Sequence, residues 1–372
     1  MRAGFILLQT LTVVLLLKLV PQKRQLIALT LFFAFPLASL AGLFALPDMP
    51  LVFMTCLYCL ILKRYLEKED IFSIIGLSFA IPLLLYSKYH GILLIFFTLL
   101  AVPSLFKKKS LYGITILSVL LFLPHVIWQY EHNFSTLRYH FIERPKVDFS
   151  LKRLLEYSLA QVFLAGLFVG PVVWWSILKR KHKNDYQRAL KFICVGTFIF
   201  FFISTFSKKF EANWTIFLTI PLIILSLDSD IWDKKRLKFL LIVSIIPVFL
   251  ARFLLPFGPE QIPVKRLSEF HGWKGWANDI NAKCTKPILA NSYQIASKLS
   301  FYLDRPIHAL NLGSRKNQFD YWEYNSDYYP STKVCYVTDK KQFKGEGTVL
   351  PDRKNYKIVQ DFIRSKISDN IP

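Results

Sequence analysis

Long runs of Leu, Ile, Phe and Val, separated by short polar breaks, dominate the first two-thirds of the chain. Ten such runs read at about 4–20, 26–46, 50–62, 71–86, 91–106, 111–129, 154–178, 189–206, 213–227 and 239–255. They approach the ~20 residues a helix needs to cross a hydrocarbon core. The shortest extends through Lys63 and Arg64, whose long stems lie along lipid while their heads reach the interface. A soluble fold buries a few such runs, not ten. The pattern predicts a mainly α protein, a polytopic transmembrane helical bundle of about ten helices.

After about 256 the pattern changes to mixed polar sequence, with Pro256, Pro259 and Pro263 marking a linker. The remainder reads as helix near 273–283, strand near 287–291, helix at 292–303, strands near 307–311 and 333–338, and a final helix near 356–367. The expected organisation is a transmembrane domain over 1–255 and a small C-terminal α/β extramembrane domain over 256–372.

Composition changes this picture little, because 53% hydrophobic and 16% aromatic residues are averages over two unlike regions. Charge changes it more. A net charge of +22 in a soluble protein suggests nucleic acid, but its placement here points elsewhere. Loops 21–25, 63–70, 107–110, 179–188 and 228–238 hold seventeen Lys and Arg, against eight in the alternate loops 47–49, 87–90, 130–153 and 207–212. Basic loops stay in the cytoplasm, so the second set and the C-terminal domain are expected on the outer face. The excess is a topology signal, helped by attraction to anionic lipid, and a nucleic-acid partner is not expected. With loop 21–25 inside, the first helix runs inward with only Met1 and Arg2 before it. The expectation is that a preceding helix and outer loop are missing.

Five cysteines give no framework. Cys56 and Cys59 have C-x-x-C spacing inside an apolar run, which reads as packing rather than metal or redox chemistry. Cys284 and Cys335 can pair if the tail faces an oxidising compartment.

Three polar motifs close apolar runs on the same predicted face: LPDMP around Asp48, YSKYHG around Lys88 and KKFEANW around Glu211. Between Pro47 and Pro50, Asp48 is either an ordinary helix-capping turn residue or a carboxylate that binds a metal or orients a sugar acceptor. Lys88, beside Tyr89 and His90, is either a snorkelling anchor or a cation placed for a phosphate. Glu211, near Asn213 and Trp214, is either part of an interfacial loop in the aromatic belt or part of the same site. The sequons at Asn133 and Asn213 read as chance. Loop 130–153 is rich in aromatics, His and Arg, and reads as a surface-lying amphipathic segment. No Ser–His–Asp order, zinc signature or phosphate-binding glycine loop is visible.

Together these motifs resemble bacterial GT-C class glycosyltransferases, in particular those related to dolichyl-phosphate-mannose–protein mannosyltransferases and lipid A aminoarabinose transferases. Pro47-Asp48, Ser87-Lys88-Tyr89 and Glu211-Ala212-Asn213-Trp214 match the family's motifs in order. In the tail, Tyr293, Gln294, Asn311, Gly313, Arg315, Asn317, Gln318, Asp320 and Trp322 carry the match. The resemblance implies an enzyme of the bacterial cytoplasmic (inner) membrane that transfers sugar from a polyprenyl-phosphate donor. The acceptor is lipid A, a polysaccharide or a protein. It implies Asp48, Lys88 and Glu211 as catalytic residues, with Lys88, Arg138, His140 and Arg144 at the donor phosphate. Tyr89, His90, Asn213 and Trp214 are then expected to line the cavity. The family's usual base sits in a first outer loop, the one expected before Met1. Some relatives use a divalent cation; here the ligand set is incomplete, and a divalent cation stays open. The competing readings are a catalytically impaired remnant or scaffold, and a transporter of lipid-linked sugar. A transporter calls for repeated halves and mid-bilayer charges, and neither is seen.

Overall fold

The computed structural model describes residues 2–139, 142, 144–228, 230–257, 271–310, 317–321, 333–339 and 356–363. The chain divides into two compact units, Met1–Phe253 and Leu254–Pro372.

The first unit is helical: α1 (Arg2–Leu19), α2 (Gln25–Ala34), α3 (Pro36–Ala41), α4 (Met49–Lys68), α5 (Ile71–Ser87), α6 (Ile92–Ala101), α7 (Lys109–Glu131), α8 (Ser135–Arg138), α9 (Leu151–Leu164), α10 (Gly170–Lys179), α11 (Asp185–Ser204), α12 (Thr219–Leu227) and α13 (Lys235–Phe257). By length and composition α1, α4, α7, α11 and α13 can each cross a membrane, and shorter apolar helices lie between them. Large apolar side chains such as Phe72, Ile116 and Ile203 face outward, as lipid contact requires. The chain is a multi-pass membrane protein.

Several of the ten apolar runs are not single α-helices, and two of the breaks fall inside the bundle. Run 26–46 breaks at Phe35, because Pro36 has no N–H to continue the ladder. The break and the end of α3 free carbonyls inside the bundle, where water is absent. Gln9 of α1 donates to the Ala38 and Ser39 carbonyls at 3.1 and 2.9 Å, and Arg252 of α13 donates to the latter as well. Run 154–178 breaks at Gly166, whose φ of 110° is open to glycine but strained for other residues. The next turn brings Gly170 so close that a Cβ there would lie 1.8 Å from the Val162 carbonyl oxygen. Ser244 Oγ accepts the freed N–H groups of Phe168 and Val169, both at 3.2 Å.

One corner decides where the site forms. Glu69 closes α4 with φ 49°, and Asp70 caps α5 by accepting the Ser73 N–H at 2.9 Å. Arg64 Nε holds the same carboxylate at 2.8 Å. This guanidinium and the Ser73 N–H hold the Asp70 carboxyl well below the usual range. The reversal runs α4 and α5 antiparallel as packed neighbours. The start of α4, at Asp48, therefore meets the end of α5, at Lys88. At the opposite end the basic loops gather around a cavity of about 330 Å³ lined by Lys23, Arg24, Lys63, Glu67 and Asp228. Arg24 is paired there with Asp233 at 2.7 Å.

In the second unit α14 (Trp273–Lys283), β1 (Ile288–Ala290), α15 (Tyr293–Leu303), β2 (His308–Ala309), α16 (Gln318–Tyr321), β3 (Lys333–Asp339) and β4 (Tyr356–Ile363) build one sheet of order β2-β1-β3-β4. β1 pairs in parallel with β2 and β3, while β3 and β4 are antiparallel, with Val337 opposite Ile358. The expected final helix is therefore wrong. The segment YKIVQDFI carries β-branched and aromatic residues at close spacing, and pairing along β3 outweighs its weak helical periodicity. Trp273, Trp276, Ile280, Leu299 and Val337 form the core.

Cys284 and Cys335 are joined as a disulfide, with Cα atoms 5.7 Å apart and a sequence separation of 51. Closing a loop of that length stabilises a fold by on the order of 4 kcal/mol in the chain-entropy account. Replacing both cysteines by Ala is expected to lower the stability of this unit by about that amount in denaturant titration of the intact protein. The helical unit should unfold as before.

Candidate functional site

Ala45 turns the chain at φ 51°, and Asp48 follows with a helical backbone at the head of α4. Its side chain makes no capping bond to the helix, which removes the ordinary capping role as its explanation. Asp48 is only 2% exposed. One carboxylate oxygen is ion-paired to Lys88 Nζ, and the other accepts from Asn213 Nδ2 at 2.9 Å. Both oxygens are thus committed within one fold-spanning cluster.

Lys88 leaves α5 in extended conformation, φ −170°, after which Tyr89–Gly91 make a 3-10 turn. Gly91 packs against Leu84, where a Cβ would sit 2.7 Å from Cγ. That approach sets the direction in which Lys88 leaves the helix. Its side chain is 24% exposed. One of the three ammonium protons is on Asp48, leaving two for another acceptor. Asn213 arrives on a 3-10 segment, Ala212–Leu218, that follows Glu211.

Beside this cluster lies a cavity of about 490 Å³ between α5, α6, α7 and α11, a size typical of ligand sites. Its walls are largely apolar, including Leu93, Phe122, Val126, Phe200 and Phe201. Tyr89, His90 and Trp214 line it, whereas Asn213 is engaged with Asp48. His90 packs at a tilt against Trp214 and Phe201, with ring centroids 5.4 and 5.5 Å away. Arg144 also lines the cavity, with its guanidinium 4.3 Å over the Trp214 ring.

The long loop after α7 is pinned to the segment before Asn213. Val147 N–H donates to the Ser207 carbonyl at 2.9 Å, Arg153 Nε to the Thr205 carbonyl at 2.8 Å, and Arg144 to the Lys209 carbonyl. Partial burial pulls the Arg144 pKa down, partly offset by the charges of Tyr139 and Glu211. Glu211 itself is exposed and borders a separate groove of about 550 Å³ with Lys152, Arg153 and Tyr157. The expectation that it lines the same cavity as Tyr89 is not met. Arg138 is exposed and absent from the lining of the 490 Å³ cavity. His140 lies outside the described residues, as do Asn311, Gly313, Arg315 and Trp322 of the tail motif.

Sequence reasoning missed His125 and Gln129. Both sit on α7, one turn apart, and line the cavity. Tyr89 OH and His125 Nε2 are hydrogen-bonded, and Gln129 Nε2 reaches Tyr89 OH at 2.8 Å and Thr136 Oγ1 at 3.2 Å. The only sequence signal was two polar residues at i, i+4 in an otherwise apolar span. Among the described residues no group of three or more His, Cys, Asp or Glu could hold a metal ion.

A family model described as dolichyl-phosphate-mannose-protein mannosyltransferase matches residues 1–128. The fold matches a crystal structure of ArnT from Cupriavidus metallidurans bound to undecaprenyl phosphate, with TM-score 0.65 and 12% identity over 97% of this chain and 84% of that one. No curated protein matches the sequence. The family match covers residues 1–128, and the likeness to ArnT is one of fold.

Asp48→Asn removes the charge that faces a partly buried ammonium. It is expected to lower stability by about 1–3 kcal/mol, read as earlier thermal unfolding in detergent. Adding Lys88→Met to the same variant should recover part of the loss, since no charge is then left unpaired.

Proposed function

We propose that this protein is a membrane glycosyltransferase that moves a sugar from a polyprenyl-phosphate donor to an acceptor at the membrane face carrying Asp48, Lys88 and Asn213. The observation that carries this reading is the apolar cavity of about 490 Å³ with cationic Arg144 and Lys208 on its lining, next to Lys88. A prenyl chain suits the Phe and Leu walls, and a phosphate suits the cations.

In the reaction, an acceptor oxygen attacks the anomeric carbon while the bond to the lipid phosphate breaks, and the acceptor proton passes to a carboxylate. Charge builds on the departing phosphate. The free protons of Lys88, with Arg144, stabilise it there. Asp48 acts by fixing Lys88 and Asn213, each bonded to one of its oxygens. Glu211 has the exposed carboxylate beside the site and faces the second groove, from which an acceptor can approach. The disulfide supports placing the C-terminal unit on the outer, oxidising side of the bacterial inner membrane.

The test is transfer from a radiolabelled polyprenyl-phosphate sugar by the purified protein, with inner-membrane lipid, lipid A and envelope protein offered as acceptors. Lys88→Ala is expected to cut turnover per folded molecule about 100-fold or more, beyond the loss of stability that an unpaired Asp48 brings. Equal turnover in that variant would remove Lys88 from the site, and no transfer by the unmodified protein to any acceptor would count against the whole reading.

A further inference from the structure

The cavity has one polar edge whose chemistry bears on which sugar it takes. Gln129 is 4% exposed and lies within the 490 Å³ cavity's lining, beside Tyr89 and His125. As placed, its amide nitrogen approaches Tyr89 OH at 2.8 Å, Thr136 Oγ1 at 3.2 Å and His125 Nε2 at 3.5 Å. Its Oε1 is buried with no hydrogen-bond partner among the described residues. Turning the amide over exchanges the two ends and still leaves one without a partner. A buried amide end left without a partner keeps its desolvation cost, which a ligand hydroxyl at this edge would offset.

Charge narrows the choice. Among the described residues lining the cavity there are two fixed cations, Arg144 and Lys208, two histidines, and no Asp or Glu. Asp48 is not on this lining, and its oxygens are taken by Lys88 and Asn213. Glu211 belongs to the lining of the other groove. A phosphate is welcome in such a cavity. A positively charged amine is not, because it would lose water without gaining a carboxylate.

Resting on the donor reading above, we propose that Gln129, with His125 and Tyr89, forms the sugar-reading edge of the cavity. It selects an uncharged, hydroxyl-bearing sugar over a cationic amino sugar. Gln129 meets a sugar hydroxyl directly. His125 holds the Tyr89 hydroxyl that in turn fixes the amide, and so acts as a positioning residue.

Binding to the purified full chain in nanodiscs tests this with three probes: undecaprenyl phosphate, the same carrier linked to mannose, and the same carrier linked to 4-amino-4-deoxyarabinose. The mannose-linked carrier is expected to bind about tenfold or more tightly than the amino-sugar carrier. Gln129→Ala should weaken the mannose-linked carrier by a similar factor and leave bare undecaprenyl phosphate unchanged. Gln129→Glu, close in size to the native residue, should shift preference toward the amino sugar. The inference is overturned if the amino-sugar carrier binds as tightly as the mannose one. It is equally overturned if Gln129→Ala weakens bare and mannose-linked carriers alike, or if Gln129→Glu leaves the preference unmoved. Failure of bare undecaprenyl phosphate to bind the unmodified protein would instead sink the donor reading, and this inference with it.

Discussion

The Asp48 carboxylate joins three parts of the chain that are far apart in sequence. Lys88 lies 40 residues away and Asn213 lies 165 away, yet each holds one of its oxygens. A buried carboxylate is costly unless its charge is matched and its lone pairs are occupied. That requirement fixes the end of α5 and the 3-10 segment after Glu211 relative to the head of α4. The aromatic floor of His90 and Trp214 is carried on those same two segments. The cavity wall is therefore built outward from one ion pair.

Membrane physics explains why the rest of the unit tolerates such a site. Within lipid, apolar packing alone gives little preference for one arrangement, and freed backbone groups must be bonded inside the protein. Gln9, Arg252 and Ser244 do this where α2–α3 and α9–α10 are broken. They let the chain bend without water. At the far end the Arg24–Asp233 pair draws the Asp233 carboxyl below its usual range, and this end carries most of the basic loops. The polarity of the bundle, one end dense in positive charge and the other carrying the candidate site, follows from how the charges are distributed along the chain.

Much of this was legible in the sequence. The apolar runs all fall on helical segments, and the alternation of basic and less basic loops put the motifs of Asp48, Lys88 and Glu211 on one face, where Asp48 meets Lys88 and Asn213. Tyr89, His90 and Trp214, singled out from their motifs, lie on the wall of one cavity. What escaped were contacts that depend on three-dimensional packing. Whether Asp48 caps its helix or reaches across the bundle cannot be read from LPDMP, because both need the same residue. Glu211 is close to Asn213 in sequence, but the turn into the 3-10 segment directs it to another groove. His125 and Gln129 were hidden because two polar residues in an apolar helix give no indication of their partners. The β4 segment was misread because its pattern suits either state until β3 offers an edge to pair with.

The central claim is that the cavity between α5, α6, α7 and α11 holds the prenyl chain of a phosphate-bearing lipid, with the phosphate toward Lys88 and Arg144. Photolabelling tests it most directly. The full-length protein would be irradiated with a diazirine-bearing polyprenyl phosphate, and the adducts mapped by mass spectrometry. The account predicts labels concentrated on the cavity faces of α7 and α11, around Val126 and Phe200, competed away by unlabelled undecaprenyl phosphate. Labels spread over the lipid-facing helices, or gathered on α1 and α13 and insensitive to competitor, would contradict it.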